Sequence, residues 1–326
     1  MASGEAALKE AFFSAVYDLR SGVDLRAFIA AIEAGNIDKA IAAANIDKAV
    51  FHAVDMAITQ AYIGGGIAAI AGAPVMRMPD GGKVVVRFDA RNPRAEAKLR
   101  NLAGSLITRI ANEQREVIRV NLTDALADGI NPRRAALNIV GRLDRATGRR
   151  VGGVIGLSAP QERAVASARR ALASGDTDGI NAYLDYARRD KRFDRTVIAA
   201  LKDGKGLAGE EVDRIVGRLS DNYLALRGET IARTETVGAL NASQVEAWDQ
   251  IFDAGGLLRE EVEKVWLSAH DNRVRESHRH MDGQAVGVDE QFSNGLRFPG
   301  DPEAGDPSEV INCRCTVTMR RKKDDA

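Results

Sequence analysis

Glu309–Met319, EVINCRCTVTM, carries both cysteines of the 326-residue chain, three positions from first to last in CRC. Apolar and polar residues alternate along it, the pattern of a half-buried strand. Alternate side chains of a strand share a face. Ile311, Cys313, Cys315, Val317 and Met319 are therefore expected to point one way, and Val310, Asn312, Arg314, Thr316 and Thr318 the other. Two readings of the thiols are open: small buried hydrophobes, or two thiolate ligands pointing into a small module. A bridge between Cys313 and Cys315 is disfavoured, because an i to i+2 disulfide does not fit extended backbone.

Three of the four histidines fall just upstream, in Ala269–Gly283, AHDNRVRESHRHMDG. Two thiolates and two imidazoles suit zinc, so the candidate ligands are Cys313, Cys315, His278 and His280, although C-x-C is tighter than the usual ligand spacing. Either cysteine with His278, oriented by Asp271, also sketches a nucleophile and base. No phosphate loop, nucleophile elbow, HExxH or dinucleotide fingerprint occurs. Arg273 and Arg275 are expected to form forked ion pairs with Asp271, Asp282 or Asp289, tying a loop to a strand.

Working outward, Glu263–Ala269 reads as a second strand and Met281–Glu309, rich in Gly, Asp and Pro, as loop. Glu210 to about Ala254 has helical spacing and predicts two long helices with a bend near Gly228 or Gly238. Thr230, Thr234 and Asn241 are unusually polar for such a helix and would suit another chain's backbone. Helical spacing of Leu99, Leu102, Leu106, Ile110 and Val117 predicts an earlier helix. Asn131 before Pro132 and Ser158 with Gln161 are helix-start signals. Gly81–Pro93, with three consecutive valines, predicts a strand. NIDKAI at Asn36 and NIDKAV at Asn45 are two copies only, too few for a solenoid. The fold class expected is α+β: a mostly α-helical N-terminal two-thirds with a small α+β C-terminal module. The segments expected are 1–150 (helical, one strand), 151–256 (long helices), 257–320 (the module) and 321–326 (a charged tail), with a boundary near Gly256.

With 45% hydrophobic and 28% charged residues, the composition is that of a soluble globular protein. The 46 basic and 46 acidic residues cancel overall. Their distribution does not: Arg77–Arg150 holds 16 basic and 8 acidic residues, a net of +8. Such a segment could face nucleic acid or an acidic protein surface, or form solvated helix faces. The start, MASGEAALKEAFFSAV, lacks the basic-then-apolar order of a secretory signal, so a reducing cytoplasm is expected. Met56–Met76 is 21 residues without a charge, long enough to span a bilayer. Its glycines and Pro74 instead predict a buried helix ending at Gly64–Gly66, with no stable membrane insertion.

LRGETIARTETVGALNASQ, VWLSAHDNRVRESHRHMDG, Phe292, FPGDP and INCRC occur in that order. The order resembles the phage head morphogenesis family, minor head proteins similar to protein F of phage Mu. The matching residues are Arg233, Thr234, Glu235, Trp266, Asp271, Arg273, Arg275, His278, Gly283, Phe292, Pro299, Cys313, Arg314 and Cys315, within roughly Gly156–Thr318. His280 lies outside the pattern, which leaves water or Asp271 as fourth ligand for zinc. The resemblance implies a low-copy, non-enzymatic minor head protein of a tailed phage or prophage, without a small-molecule substrate. Its implied partners are the portal protein, other head proteins and packaged double-stranded DNA met through Arg77–Arg150. Its implied place is the virion head interior or portal vertex, after assembly in the host cytoplasm. Some relatives carry fused toxin domains; with eleven residues after Cys315, none is expected here. Two alternatives stay open: a Cys–His hydrolase or toxin-like enzyme acting in the host, and a non-specific DNA-binding protein.

Overall fold

The computed structural model describes residues 2–77, 81–255, 257–303 and 306–322. In chain order the elements are α1 (Ala2–Gly22), α2 (Leu25–Glu33), α3 (Ile37–Ala44), α4 (His52–Gly72), β1 (Met76–Arg77), β2 (Lys83–Val84), α5 (Pro93–Ala127), α6 (Pro132–Val140), β3 (Arg142–Leu143) and β4 (Arg150–Val151). They continue with α7 (Ala159–Ser174), α8 (Thr177–Asp185), α9 (Asp194–Asp203), α10 (Gly209–Asp253), β5 (Val262–Leu267), α11 (Glu276–His280), β6 (Ala285–Gly287), α12 (Pro307–Val310) and β7 (Thr316–Arg321). The protein is thus mostly helical, with small sheets, as the sequence pattern predicts.

The chain forms two compact units, neither continuous in sequence. One comprises Met1–Ala11, His52–Leu106 and Glu229–Ala326; the other comprises Phe12–Phe51 and Ile107–Gly228. The structure therefore divides the chain differently from the consecutive segments expected, because α1, α5 and α10 each contribute residues to both units. Gly256, the expected boundary, lies outside the described residues, as do residues 323–326 of the expected tail; Arg321 is the last residue of β7.

In the first unit β5 is the centre of an antiparallel sheet of order β6-β5-β7. Its register pairs Val262 with Arg321 and Leu267 with Thr316 on one side, and Val265 with Ala285 on the other. Trp248 and Ile251 of α10 pack with Val262, Val288, Met319 and Met76 in one apolar cluster. The C-terminal half of α10 is thus the floor of the module rather than a separate helical region.

Glycine explains two departures from expectation. The helix through Gly64–Gly66 does not end there but continues to Gly72. Gly65 faces α10 so closely that a Cβ would lie 2.3 Å from Ser243 Oγ and 3.0 Å from Leu240 O, and at Gly66 one would strike the Phe88 ring. Likewise α10 is one unbroken 45-residue helix. Gly228 leaves room for the Phe13 ring, and at Gly238 a Cβ would lie 2.9 Å from Gly300 O. These glycines mark close approaches, where absence of a side chain outweighs the helix penalty of about 1 kcal/mol.

Three strand readings change. Of Gly81–Pro93 only Lys83–Val84 pairs; Val85 is 77% exposed, and Phe88 packs on Tyr62. The final strand starts at Thr316, because Pro307–Val310 is a helical turn and Asn312 is left-handed at φ 59°. Ile311 is consequently 44% exposed and off the apolar face, whereas Cys313, Cys315, Val317 and Met319 are buried. The expected loop Met281–Glu309 contains β6 and most of α12.

Residues 37–72 are long and apolar enough to cross a membrane by length and composition. They fold as α3, a 3-10 turn at Lys48–Phe51 and α4, which buries Val54, Ile58 and Tyr62. Asn36 caps α3 by accepting the Lys39 N–H, whereas Asn45 ends it in the left-handed region, so the repeated NIDKA serves opposite ends of one helix.

In the second unit the loop 152–157 is held by buried polar side chains. The Arg20 guanidinium donates to the carbonyls of Gly153 and Ile155, and burial pulls its pKa down to about 10. Gln114 donates to Leu157 O and accepts from Gly156 N–H, while Ser220 Oγ donates to Gly153 O at 2.7 Å. Asn131 caps α6, and Gln161 accepts the Ser158 N–H at the start of α7.

The glycine contrast on α4 is testable by chemical denaturation. Gly64→Ala, exposed with nothing near its missing Cβ, is expected to stabilise by about 1 kcal/mol. Gly65→Ala, against α10 backbone, is expected to destabilise by roughly 1–3 kcal/mol.

Candidate functional site

Within the first unit, β5, α11 and the turn before β7 bring His278, Cys313 and Cys315 together. All three are buried, and their nitrogen and sulfur atoms lie within 4.8 Å of one another. His278 Nδ1 is 3.6 Å from Cys313 Sγ and 3.4 Å from Cys315 Sγ. The opposite ring nitrogen, Nε2, is 2.9 Å from Glu309 Oε2. Since a carboxylate only accepts, Nε2 donates there. The imidazole is wedged edge-on to Trp266 at 4.9 Å between centroids, and Trp266 in turn meets Phe292 at 5.2 Å.

The electrostatics follow from this packing. Hydrogen bonding with Cys313 pulls the Cys315 thiol below the usual range, and His278 and the Trp266 indole N–H add to the effect. The same pairing and burial push Cys313 up. Burial raises the Glu309 carboxyl, but hydrogen bonds from Asn294 and Ser277 and the neighbouring His278 outweigh it, so its pKa lies below the ordinary value.

Helix α10 positions the turn that presents the thiols. Arg233 Nη1 donates to Asn312 Oδ1 at 3.3 Å, and Thr234 Oγ1 accepts the Asn312 N–H at 3.0 Å. The left-handed residue before Cys313 is thereby held from both ends. About two helical turns further on, Asn241 donates to Pro299 O and Cys315 O and accepts from Val317 N–H and Thr316 Oγ1. Two of the polar residues suited to another chain's backbone, Thr234 and Asn241, thus bind this chain's own.

Asp271 and Arg314 form a forked pair across the module, and the guanidinium holds the Asp271 carboxyl well below the usual carboxylate range. This corrects the expected pairing in part: the Arg273–Asp271 ion pair forms, but not as a fork. Arg273 meets Asp271 at 3.9 Å, and Arg275 donates from Nη2 to Ile311 O at 2.6 Å. Asp289 pairs instead with Arg259, and Asp282 accepts the Ser268 N–H. Asp271 is therefore engaged with Arg314, and the residue orienting His278 is Glu309.

Of the four candidate ligands, three meet. His280 is exposed and outside the cluster, because positions two apart on a helix face opposite sides. Gly283 adopts φ 79° and returns its N–H to Trp266 O at 2.8 Å, which closes the turn between β5 and β6. Glu235 lies half-buried on α10. Sequence reading missed Glu309 and Asn312. Glu309 reaches His278 only because the helical turn α12 folds it back, and no periodicity announces that.

A cavity of about 20 Å³ adjoins the cluster, lined by Arg273, Arg275, Asn312 and Arg314 among others. It has room for one water, which needs roughly 10–15 Å³. Drug-sized ligands require several hundred.

Residues 191–318 match the family described as "Phage Mu protein F like protein". The C-terminal part of the chain is thus similar to Phage Mu protein F, and the candidate site lies inside the matched residues. The chain is also similar to two bacterial proteins. One is the "NAD(+)--arginine ADP-ribosyltransferase EFV" of Enterococcus faecalis, 32% identical over 138 residues, covering 40% of this chain and 26% of that protein. The other is the "Uncharacterized protein YqbB" of Bacillus subtilis, 32% identical over 99 residues, covering 28% of this chain and 30% of that one. The chain therefore spans less than a third of either relative's length. No solved structure matches it.

Asn241 offers a direct test of the clamp. Asn241→Ala leaves buried backbone groups of Pro299, Cys315 and Val317 without this partner, and a loss of about 2–4 kcal/mol is expected in urea unfolding. Asn241→Asp cannot donate to the two carbonyls and is expected to lose a comparable amount.

Proposed function

We propose that this protein is a minor head protein of a tailed phage or prophage, non-enzymatic, present in few copies and associated with the portal vertex. The observation that carries the reading is the Phage Mu protein F-like match over residues 191–318, which includes the clamp and the cysteine cluster it holds. The residues of the shared pattern act there as scaffolding: Arg233 and Thr234 fix Asn312, Arg314 fixes Asp271, and Trp266 walls His278.

Two rivals have less support. A Cys–His hydrolase needs room for a substrate where thiol and imidazole meet, and the cavity lined by both Cys315 and His278 is about 20 Å³, room for one water, whereas the larger one of about 580 Å³ that Cys315 also lines does not reach His278. The ADP-ribosyltransferase name belongs to a protein of which this chain covers 26%, so it carries no activity across. A non-specific DNA-binding role would use the basic residues of Arg77–Arg150, but several already hold carboxylates. Arg94 binds Glu246 at 3.0 Å and Asp253 at 2.9 Å, and Lys98 binds Glu246 at 2.9 Å. In the second unit Arg134 and Arg142 converge on Asp213. Glu246 is fully buried: burial raises its pKa, but Arg94 and Lys98 outweigh that and lower it, so phosphate would have to displace a satisfied anion. Protein contact is the better fit for what remains exposed.

The test is to assemble heads from the chain's own portal, scaffold and capsid proteins, with and without it. The expected result is copurification with particles at far fewer copies than the capsid protein, with cross-links to the portal. Absence from purified particles would contradict the reading. In parallel, gel shifts on duplex DNA at physiological salt are expected to show no stable complex, and tight, sequence-independent binding there that weakens steeply as salt rises would favour the non-specific DNA-binding rival.

A further inference from the structure

His278 presents one nitrogen to two sulfurs. Its Nε2–H is committed to Glu309, which leaves Nδ1 with a single lone pair. A hydrogen bond from one thiol would use that lone pair and leave the second sulfur, at nearly the same distance, with no bond to it. An ion on the lone pair accounts for both. Zinc bonds of about 2.3 Å to sulfur and 2.0–2.1 Å to nitrogen, at tetrahedral angles, place nitrogen and sulfur about 3.6 Å apart. The two separations are 3.6 and 3.4 Å.

The surroundings have the features of a built site. Cys315 N–H points at Cys313 Sγ from 3.5 Å, a donor suited to a thiolate. Arg275 lines the adjoining cavity, and its buried Nη1 has no partner, so a donor is available to an anionic sulfur or to a bound water. Glu309 on the far side of the imidazole reproduces the carboxylate–histidine arrangement that fixes the tautomer of metal-bound histidine and raises its basicity. Ser277 and Asn294 hold that carboxylate in turn. The cavity of about 20 Å³ beside the sulfurs has the volume of one water.

We propose that Cys313, Cys315 and His278 Nδ1 bind one zinc ion, with a water from the adjoining cavity as fourth ligand and Glu309 as the residue that positions His278. The ion ties α11 to the turn before β7, and so joins the two ends of the module. The soft sulfur pair selects zinc over magnesium or calcium, which prefer oxygen.

The experiment uses the full chain, purified without chelator, and measures metal by mass spectrometry and by cobalt(II) substitution. The expected results are one zinc per chain, and a cobalt complex with sulfur-to-metal charge-transfer bands and the intense visible bands of a four-coordinate ion. Zinc is expected to protect both thiols from alkylation. Glu309→Gln is expected to weaken zinc binding about 10- to 100-fold, whereas His280→Ala leaves it unchanged. Substoichiometric metal after zinc supplementation, with a cobalt spectrum of the six-coordinate aquo ion, would overturn the proposal. So would loss of metal in a folded His280→Ala variant. Should Cys313→Ser or Cys315→Ser fail to fold, the cobalt spectrum of the native chain decides alone. Metal content is independent of particle assembly, so this inference and the head-protein reading fail separately.

Discussion

The carboxamide of Asn241 lies 2% exposed on α10 with two donors and two acceptor positions all engaged. An asparagine side chain has no more to offer. Its partners belong to the turn at Pro299 and to the start of β7, segments close in space and 16 residues apart in sequence by number. Because each buried polar group left unpaired costs about 1–3 kcal/mol, the amide admits one register of β7 against α10. The order of the C-terminal unit follows from that restriction: once β7 is fixed, β5 pairs with it, Trp266 is buried, and the thiols face His278.

This arrangement explains why Arg233, Thr234 and Asn241 of α10 turn toward the chain's own C-terminal segments. The helix contributes an apolar cluster through Trp248 and Ile251, a close backbone contact at Gly238, and a polar row of Arg233, Thr234 and Asn241 that reads the backbone of residues 299–317. The cysteine turn is therefore held from outside by the helix and from inside by Arg314–Asp271.

Much of this was legible in the sequence where the signal is local. The helix starts at Asn131 and at Ser158 with Gln161, the periodicity of α5 and the strand before Ala269 depend on neighbours a few residues away, and they appear much as read. What was not legible depends on partners far along the chain. Gly65 and Gly238 look like helix breakers until Leu240 and Gly300 are placed beside them. Asn241 signals an unsatisfied polar helix until Val317 arrives. For the candidate site, the two cysteines and His278 that the sequence groups do meet in space. His280 was added from composition alone, and Glu309 was overlooked because its approach requires the turn at Pro307–Val310.

The central claim is that the C-terminal half of α10 and the sheet module are one cooperative unit fixed through Asn241. Native-state hydrogen exchange tests it most directly. The account predicts that the slowest amides of α10 between Val237 and Ile251, together with those of Trp266 and Val317, open with one common free energy and one common denaturant dependence. Exchange of the β5 and β7 amides at a distinctly lower free energy, while the helix stays protected, would contradict it.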